Sequence, residues 1–310
     1  MNTHFKPFAF RLSPLRSAAA AVLGASLLAA CGGGGGDSPQ AVKLQFAALN
    51  GSSAVSCTGS LSGLGSTAAS AKLQDLRFYV SEVELVDAKG NVTPVKLDAV
   101  TNWQIAGSGA AGVALVDLAA AGEACDATSP ETHTEVVGSA DGGDYTKVRF
   151  KIGVPLALNH SNVVGAAAPL DIAALNWSWA GGRKFLNIEV NADAPTTLTT
   201  FNVHLGSTGC TGSSPATGLV DTCARPDRMT VELAFDRKAS AQNVVIDLAQ
   251  LFQGVDITQN INGAPGCMSG ATDSECVPVF SNLGLDQSTG LPLSTTAQRI
   301  FRLAGSTGAL

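Results

Sequence analysis

The sequence predicts an all-β chain, an antiparallel β-sandwich with disulfide-stapled loops, on three observations. Many short stretches alternate apolar and polar residues, the period of two that puts one strand face on a core and the other in water. Clusters of Gly, Ser, Thr and Asn separate these stretches, and helical periodicity is scarce. Behind an export-type N-terminus stand six cysteines, an even count read as disulfides first.

Residues 1–30 read as a lipoprotein signal peptide, outside the fold. Lys6, Arg11 and Arg16 make a positive n-region, and Ala18 to Ala30 is an apolar run too short to span a bilayer. It ends in Leu28-Ala29-Ala30-Cys31, which resembles a bacterial lipobox, so Cys31 is the expected lipidation site. An ordinary secreted protein that loses Cys31 is the alternative. Residues 31–41 form a lipid-anchored tether, with Gly32 to Gly36 for flexibility, and more than one acyl chain makes such an anchor stable. Residues 42–310 are then one β-sandwich domain at the cell envelope, as a periplasm-facing or outer-membrane lipoprotein.

Val42-Lys43-Leu44-Gln45-Phe46 opens that domain with clean alternation. Leu76 to Val86 is longer and changes phase: Leu76, Phe78 and Val80 occupy even positions and Val83 and Leu85 odd ones, so a β-bulge is expected near Ser81. Tyr145 to Ile152 and Leu186 to Val190 alternate again, as does Met229 to Phe235. Pro169 to Leu175 reads as a turn, Asp247 to Phe252 as a short helix, and Cys267 onward as a loop-rich segment folding over the sheet.

Cys57, Cys125, Cys210, Cys223, Cys267 and Cys276 lack the C-x-x-C spacing of a zinc ribbon or a thioredoxin-type site. Short separations favour Cys210–Cys223 and Cys267–Cys276 as local staples, which leaves Cys57–Cys125; sequence alone leaves other connectivities open. Removing the signal takes Lys6, Arg11 and Arg16 with it, so 16 of 19 basic residues face all 25 acidic ones, a formal charge of −9. That balance argues against nucleic acid and against electrostatic binding to anionic lipid.

Only three tryptophans occur, yet Trp177 and Trp179 are one residue apart, which on a strand puts both indoles on one face. They read either as a paired aromatic core or as a surface platform, and the latter makes a carbohydrate-binding or adhesion lipoprotein one functional reading. Past the signal the histidines are His133, His160 and His204. His133 lies in a polar loop and reads as solvated. His160 follows a proline-marked strand exit, where an Asn-His turn is the bland reading. Phe201, Val203 and Leu205 face the core, so His204 is expected on the opposite, wet face, as either an ordinary solvated residue or a ligand. Glu82 and Glu84 share a polar strand face and read as solvated. No G-x-S-x-G nucleophile elbow or phosphate loop is present, and no nucleophile–base pair stands out, so the chain is not expected to be an enzyme.

Taken in order, Asn159-His160, the Pro169-Leu170 turn, Trp177-x-Trp179 with Gly182-x-Lys184-Phe185, the run His204 to Cys210 and the later cysteines resemble one family. It is the metallo-mystery-pair four-Cys-motif family, the MbnP-like proteins, and the resemblance runs from about Val42 to the Cys276 region. The chain departs from it with Leu175 where methionine is common and Arg183 where tyrosine is common. The resemblance implies a copper-associated protein paired with a di-haem enzyme of the cytochrome c peroxidase type. That partner oxidises Trp177 or Trp179 to kynurenine, whose aryl amine helps bind copper. His160 and His204 are then the expected copper ligands, since imidazole suits this metal.

Overall fold

The computed structural model describes residues 38–119, 125, 131–178, 181–193, 198–212, 220–236 and 238–305. Cys31, the signal segment and Trp179 lie outside these residues. Two sheets face each other across one core. The first runs in the order Phe301–Leu303, Gln242–Asp247, Gln40–Asn50, Glu135–Ala140, Lys96–Leu97 and Gly107–Ser108. The second runs Met229–Ala234, Tyr145–Ile152, Ala69–Asp87, Leu186–Ala192, Phe201–Leu205 and Gly266–Cys267. The opening strand starts at Gln40, so the last two residues assigned to the tether belong to the fold.

Alternation builds the core as expected. Val42, Leu44 and Phe46 of the first sheet meet Leu76, Phe78 and Val80 of the second. Phe46 packs edge-to-face on Phe78 at 5.3 Å between centroids and on Phe150 at 5.9 Å. Each such pair contributes about 1 kcal/mol beyond its buried area. The phase change in Ala69–Asp87 is a bulge: Arg149 pairs with Glu84 and Lys151 with Ser81, so Glu82 and Val83 together oppose Phe150. Glu82 takes the extra turn at φ 47, and its carboxylate meets Lys151 and Arg228 at 2.7 and 2.8 Å.

Two pairings depart from the antiparallel expectation. Gln40–Asn50 runs parallel to Gln242–Asp247, and Phe201–Leu205 parallel to Gly266–Cys267. In both, the partner is a late segment returning by a long connection, which a parallel pair requires and a hairpin cannot supply. The short helix forms at Leu248–Leu251, where the Asp247 carboxylate accepts from Ala249 N at 3.1 Å as an N-cap. Ala173–Leu175 is a single 3₁₀ turn. The segment from Cys267 is mostly turns around a helix at Cys276–Asn282, and it ends by adding Phe301–Leu303 to the first sheet.

All three disulfides follow the separations in the sequence: Cys57–Cys125, Cys210–Cys223 and Cys267–Cys276. One feature did not follow from periodicity. The face of Ala69–Asp87 opposite the core is buried too, including Asp75, Arg77, Tyr79 and Ser81. Residues between Val154 and Phe185 form a third layer there, with Val154, Leu170, Leu175 and Phe185 packed on Tyr79, Val113 and Leu115. The Tyr79 hydroxyl donates to Pro169 O at 2.8 Å and ties this layer down.

Candidate metal centre

Of the two candidate ligands, His160 lies within that third layer and His204 on the strand Phe201–Leu205 of the second sheet. His204 alternates out of phase with Phe201, Val203 and Leu205, as its strand position requires, yet it is only 4% exposed. The expectation of a wet face is therefore corrected: the face is covered. His204 pairs across the sheet with Asn187, and its Nε2 lies 2.8 Å from Glu189 Oε1. An ionised carboxylate only accepts, so Nε2 carries the proton and, in the neutral ring, Nδ1 keeps its lone pair. Nδ1 is buried and has no hydrogen-bond partner. Burial pushes the His204 pKa down against the pull of Glu189. The His204 hydrogen bond, ahead of the opposing effect of burial, holds Glu189 below the usual carboxylate range.

His160 caps the short helix Leu156–Asn159 and is 2% exposed. Its setting is a network rather than a local Asn-His turn. Asn159 Oδ1 accepts from Arg183 N at 2.8 Å, which leaves the Asn159 amide nitrogen facing His160 Nε2 at 3.0 Å. In that arrangement the amide donates and Nε2 accepts. Cys223 Sγ lies 3.6 Å from the same Nε2. Arg183 is fully buried and donates to Asn159 O at 2.7 Å, to Ser161 O at 2.5 Å and, through Nη2, to Leu170 O at 2.7 Å. No motif had singled out Arg183 as a structural anchor. Its only sequence signal is a departure from the family pattern between two glycines and an apolar strand.

Trp177 sits in the three-residue strand Asn176–Ser178, between the pairs Asn176 with Arg183 and Ser178 with Gly182, and is half-buried. Its six-membered ring rests on Gly206: a Cβ at Gly206 would lie 2.7 Å from Cζ3 and 3.0 Å from Cη2. Gly206 follows His204 on the same course of chain, and Ser269 clamps the two, accepting from Gly206 N at 3.1 Å and donating to His204 O at 3.0 Å. Trp177 thus rests on the segment that carries His204. Trp179 falls outside the described residues, so its shared face with Trp177 is untested. His133 is corrected from solvated to half-buried: it stacks on Trp103 at 4.7 Å with rings 9° apart, and burial pushes its pKa down. Among the described residues, the one cluster of three His, Cys, Asp or Glu donor atoms within 4.8 Å of one another is His160 with Cys210 and Cys223; His204 is outside it.

The chemistry of these donors fits copper. A buried imidazole nitrogen with a free lone pair is costly to leave unmet, and a soft-to-borderline metal ion is one group that meets it. The sequence profile described as MbnP matches residues 39–269. The solved structure of MbnP from Methylosinus trichosporium is similar to this chain at 37% identity, with a TM-score of 0.74, covering 86% of this chain and 98% of that one. No curated protein matches the chain.

Proposed function

Because the chain belongs to the MbnP family, we propose that it is a non-enzymatic copper-binding protein of the cell envelope, lipid-anchored at Cys31. His160 and His204 supply the protein's imidazole ligands. A di-haem partner of the cytochrome c peroxidase type oxidises Trp177 or Trp179 to kynurenine, with peroxide as oxidant. When bound, copper would act as the protein's cargo in acquisition or handling.

The observation that carries this reading is the orphaned Nδ1 of His204. Glu189 orients the ring and fixes its tautomer, the role an outer carboxylate plays behind metal-bound histidines. At His160 the Asn159 amide holds the ring through a bond to Nε2, and a metal bound at that nitrogen would displace it. The contact of Trp177 with Gly206 supports an indole beside the histidine segment, where an aryl amine adds a donor to two imidazoles. The same contact counts against a carbohydrate platform, because it occupies part of the indole surface that a sugar ring would need.

The test is copper titration of the purified protein, desalting and metal analysis, with and without co-expression of the di-haem partner. Tight retention of one copper per chain is expected after co-expression, with one tryptophan in the 176–183 peptide gaining one oxygen and losing one carbon. Absence of retained copper together with sugar binding that is lost on Trp177→Ala would replace this reading with the carbohydrate one.

A further inference from the structure

We propose that the Cys210–Cys223 disulfide is a redox-gated second metal site, in which the two thiolates join His160 to hold a soft, thiolate-seeking cation once the bridge is reduced. The site shares His160 with the copper reading but does not use His204, so the two stand or fall separately.

Three observations place it. The donor atoms of His160, Cys210 and Cys223 already lie within 4.8 Å of one another. The 3.6 Å between His160 Nε2 and Cys223 Sγ matches the roughly 3.6 Å separating two ligands of one tetrahedral ion when metal–sulfur and metal–nitrogen bonds are about 2.3 and 2.05 Å. On reduction the sulfurs move apart to ordinary non-bonded contact, close to the roughly 3.8 Å that two thiolates on such an ion require. Only side-chain rotation is needed, because Cys210 and Cys223 are directly opposite in a two-stranded ribbon whose neighbouring pairs, Thr208 with Arg225 and Thr211 with Thr222, keep the register.

The second argument is access. Cys210 and Cys223 are half-buried, on strands whose alternate residues Gly209, Thr211, Thr222 and Ala224 are exposed. The other two bridges are closed off, with Cys267 and Cys276 at 1% and 0% exposure and Cys57 and Cys125 at 9% and 6%. Thiol–disulfide exchange depends on reaching a sulfur, so a dithiol reductant meets this bridge first.

The third is the tautomer. With the Asn159 amide donating to Nε2, that nitrogen is the unprotonated one and lies 3.6 Å from Cys223 Sγ, and the incoming ion displaces the Asn159 bond. The exchange balances. One thiol of the dithiol reductant attacks a sulfur of the bridge as thiolate, its second thiol resolves the mixed disulfide, and the reductant leaves as its own disulfide after giving two electrons. Cys210 and Cys223 become thiols, and each releases one proton when it takes the cation. Copper(I) and zinc(II) share this ligand preference.

The experiment treats the mature protein, made without its partner, with limiting dithiothreitol under nitrogen, followed by desalting. Alkylation and peptide mass spectrometry are expected to find Cys210 and Cys223 modified well before the other four cysteines. Copper(I) and zinc(II), added in separate arms against a chromophoric chelator, are expected to show one equivalent per chain bound in at least one arm. That binding should carry thiolate-to-metal ultraviolet absorption for copper(I), and protection of both cysteines from alkylation in either arm. The double variant Cys210→Ser/Cys223→Ser should lose this binding, and His160→Ala should weaken it at least tenfold. His204→Ala should leave it intact while abolishing the copper retained by oxidised protein co-expressed with the partner. Prior reduction of another bridge, or no gain in bound metal over the oxidised protein, would overturn the proposal. So would bound metal that leaves both cysteines open to alkylation, a readout on the unmutated chain that does not depend on how the variants fold.

Discussion

Arg183 grips the chain on both sides of His160, its Nη1 donating to Asn159 O and Ser161 O at 2.7 and 2.5 Å. Its backbone N–H holds the Asn159 amide that faces the His160 ring. One buried residue therefore sets the position of the imidazole and the partner of its Nε2.

Replacing it tests that dependence. Arg183→Met leaves the oxygens of Asn159 and Leu170 without these donors, and each unmet buried acceptor costs about 1–3 kcal/mol. A loss of about 3 kcal/mol or more in urea denaturation is expected. Arg183→Lys should recover only part of it, because an ammonium lacks the planar fork.

His204→Ala should both remove retained copper and lower the stability of the metal-free protein. An outward-facing residue would have left the melt unchanged. The structure instead has Glu189 hydrogen-bonded to a buried ring, so truncation strips a half-buried carboxylate of a partner. A cost of about 1–2 kcal/mol is expected, read from the apo thermal melt.

Gly206→Ala should displace Trp177. The added carbon meets the indole at 2.7 Å and the Arg183 carbonyl oxygen at 2.9 Å, and a backbone oxygen cannot step aside as a side chain can. Overpacking of this kind costs about 1–3 kcal/mol. Tryptophan fluorescence should shift to the red as the ring becomes wetter, and the yield of kynurenine at position 177, if Trp177 is the oxidised indole, should fall on co-expression with the partner.

Asp227 predicts a pH dependence of stability. It is fully buried, its Oδ1 has no partner, and burial pushes its pKa up to about 7 against the pull of Arg225 and Thr208. Since the folded value lies above the unfolded one, its contribution to stability is present in full below the ordinary carboxylate range and is lost as pH rises through about 7. Asp227→Asn keeps the shape and tolerates the φ of 49. It should stabilise the protein by about 2–4 kcal/mol at pH 8 relative to its effect at pH 4, measured by denaturant unfolding at both.

The sequence by itself determined the strands, the bulge near Ser81, the short helix after Asp247 and the sandwich class. It also favoured the three cysteine pairings that form, while leaving other connectivities open, and it carried the ordered motif that marks the family. These are local properties: alternation, capping and chain separation act over a few residues and leave a readable trace. Tertiary structure alone decided what covers the outer face of the second sheet. His204 has the phase of a wet residue and is nonetheless buried, with Glu189 on its ring and Ser269 on its carbonyl oxygen. The anchoring of His160 by Arg183, the stacking of His133 on Trp103 and the meeting of His160 with the Cys210–Cys223 bridge depend on contacts between residues more than twenty positions apart. Periodicity reports which way a side chain points, but only the path of the rest of the chain settles whether water, a carboxylate or a sulfur is waiting there.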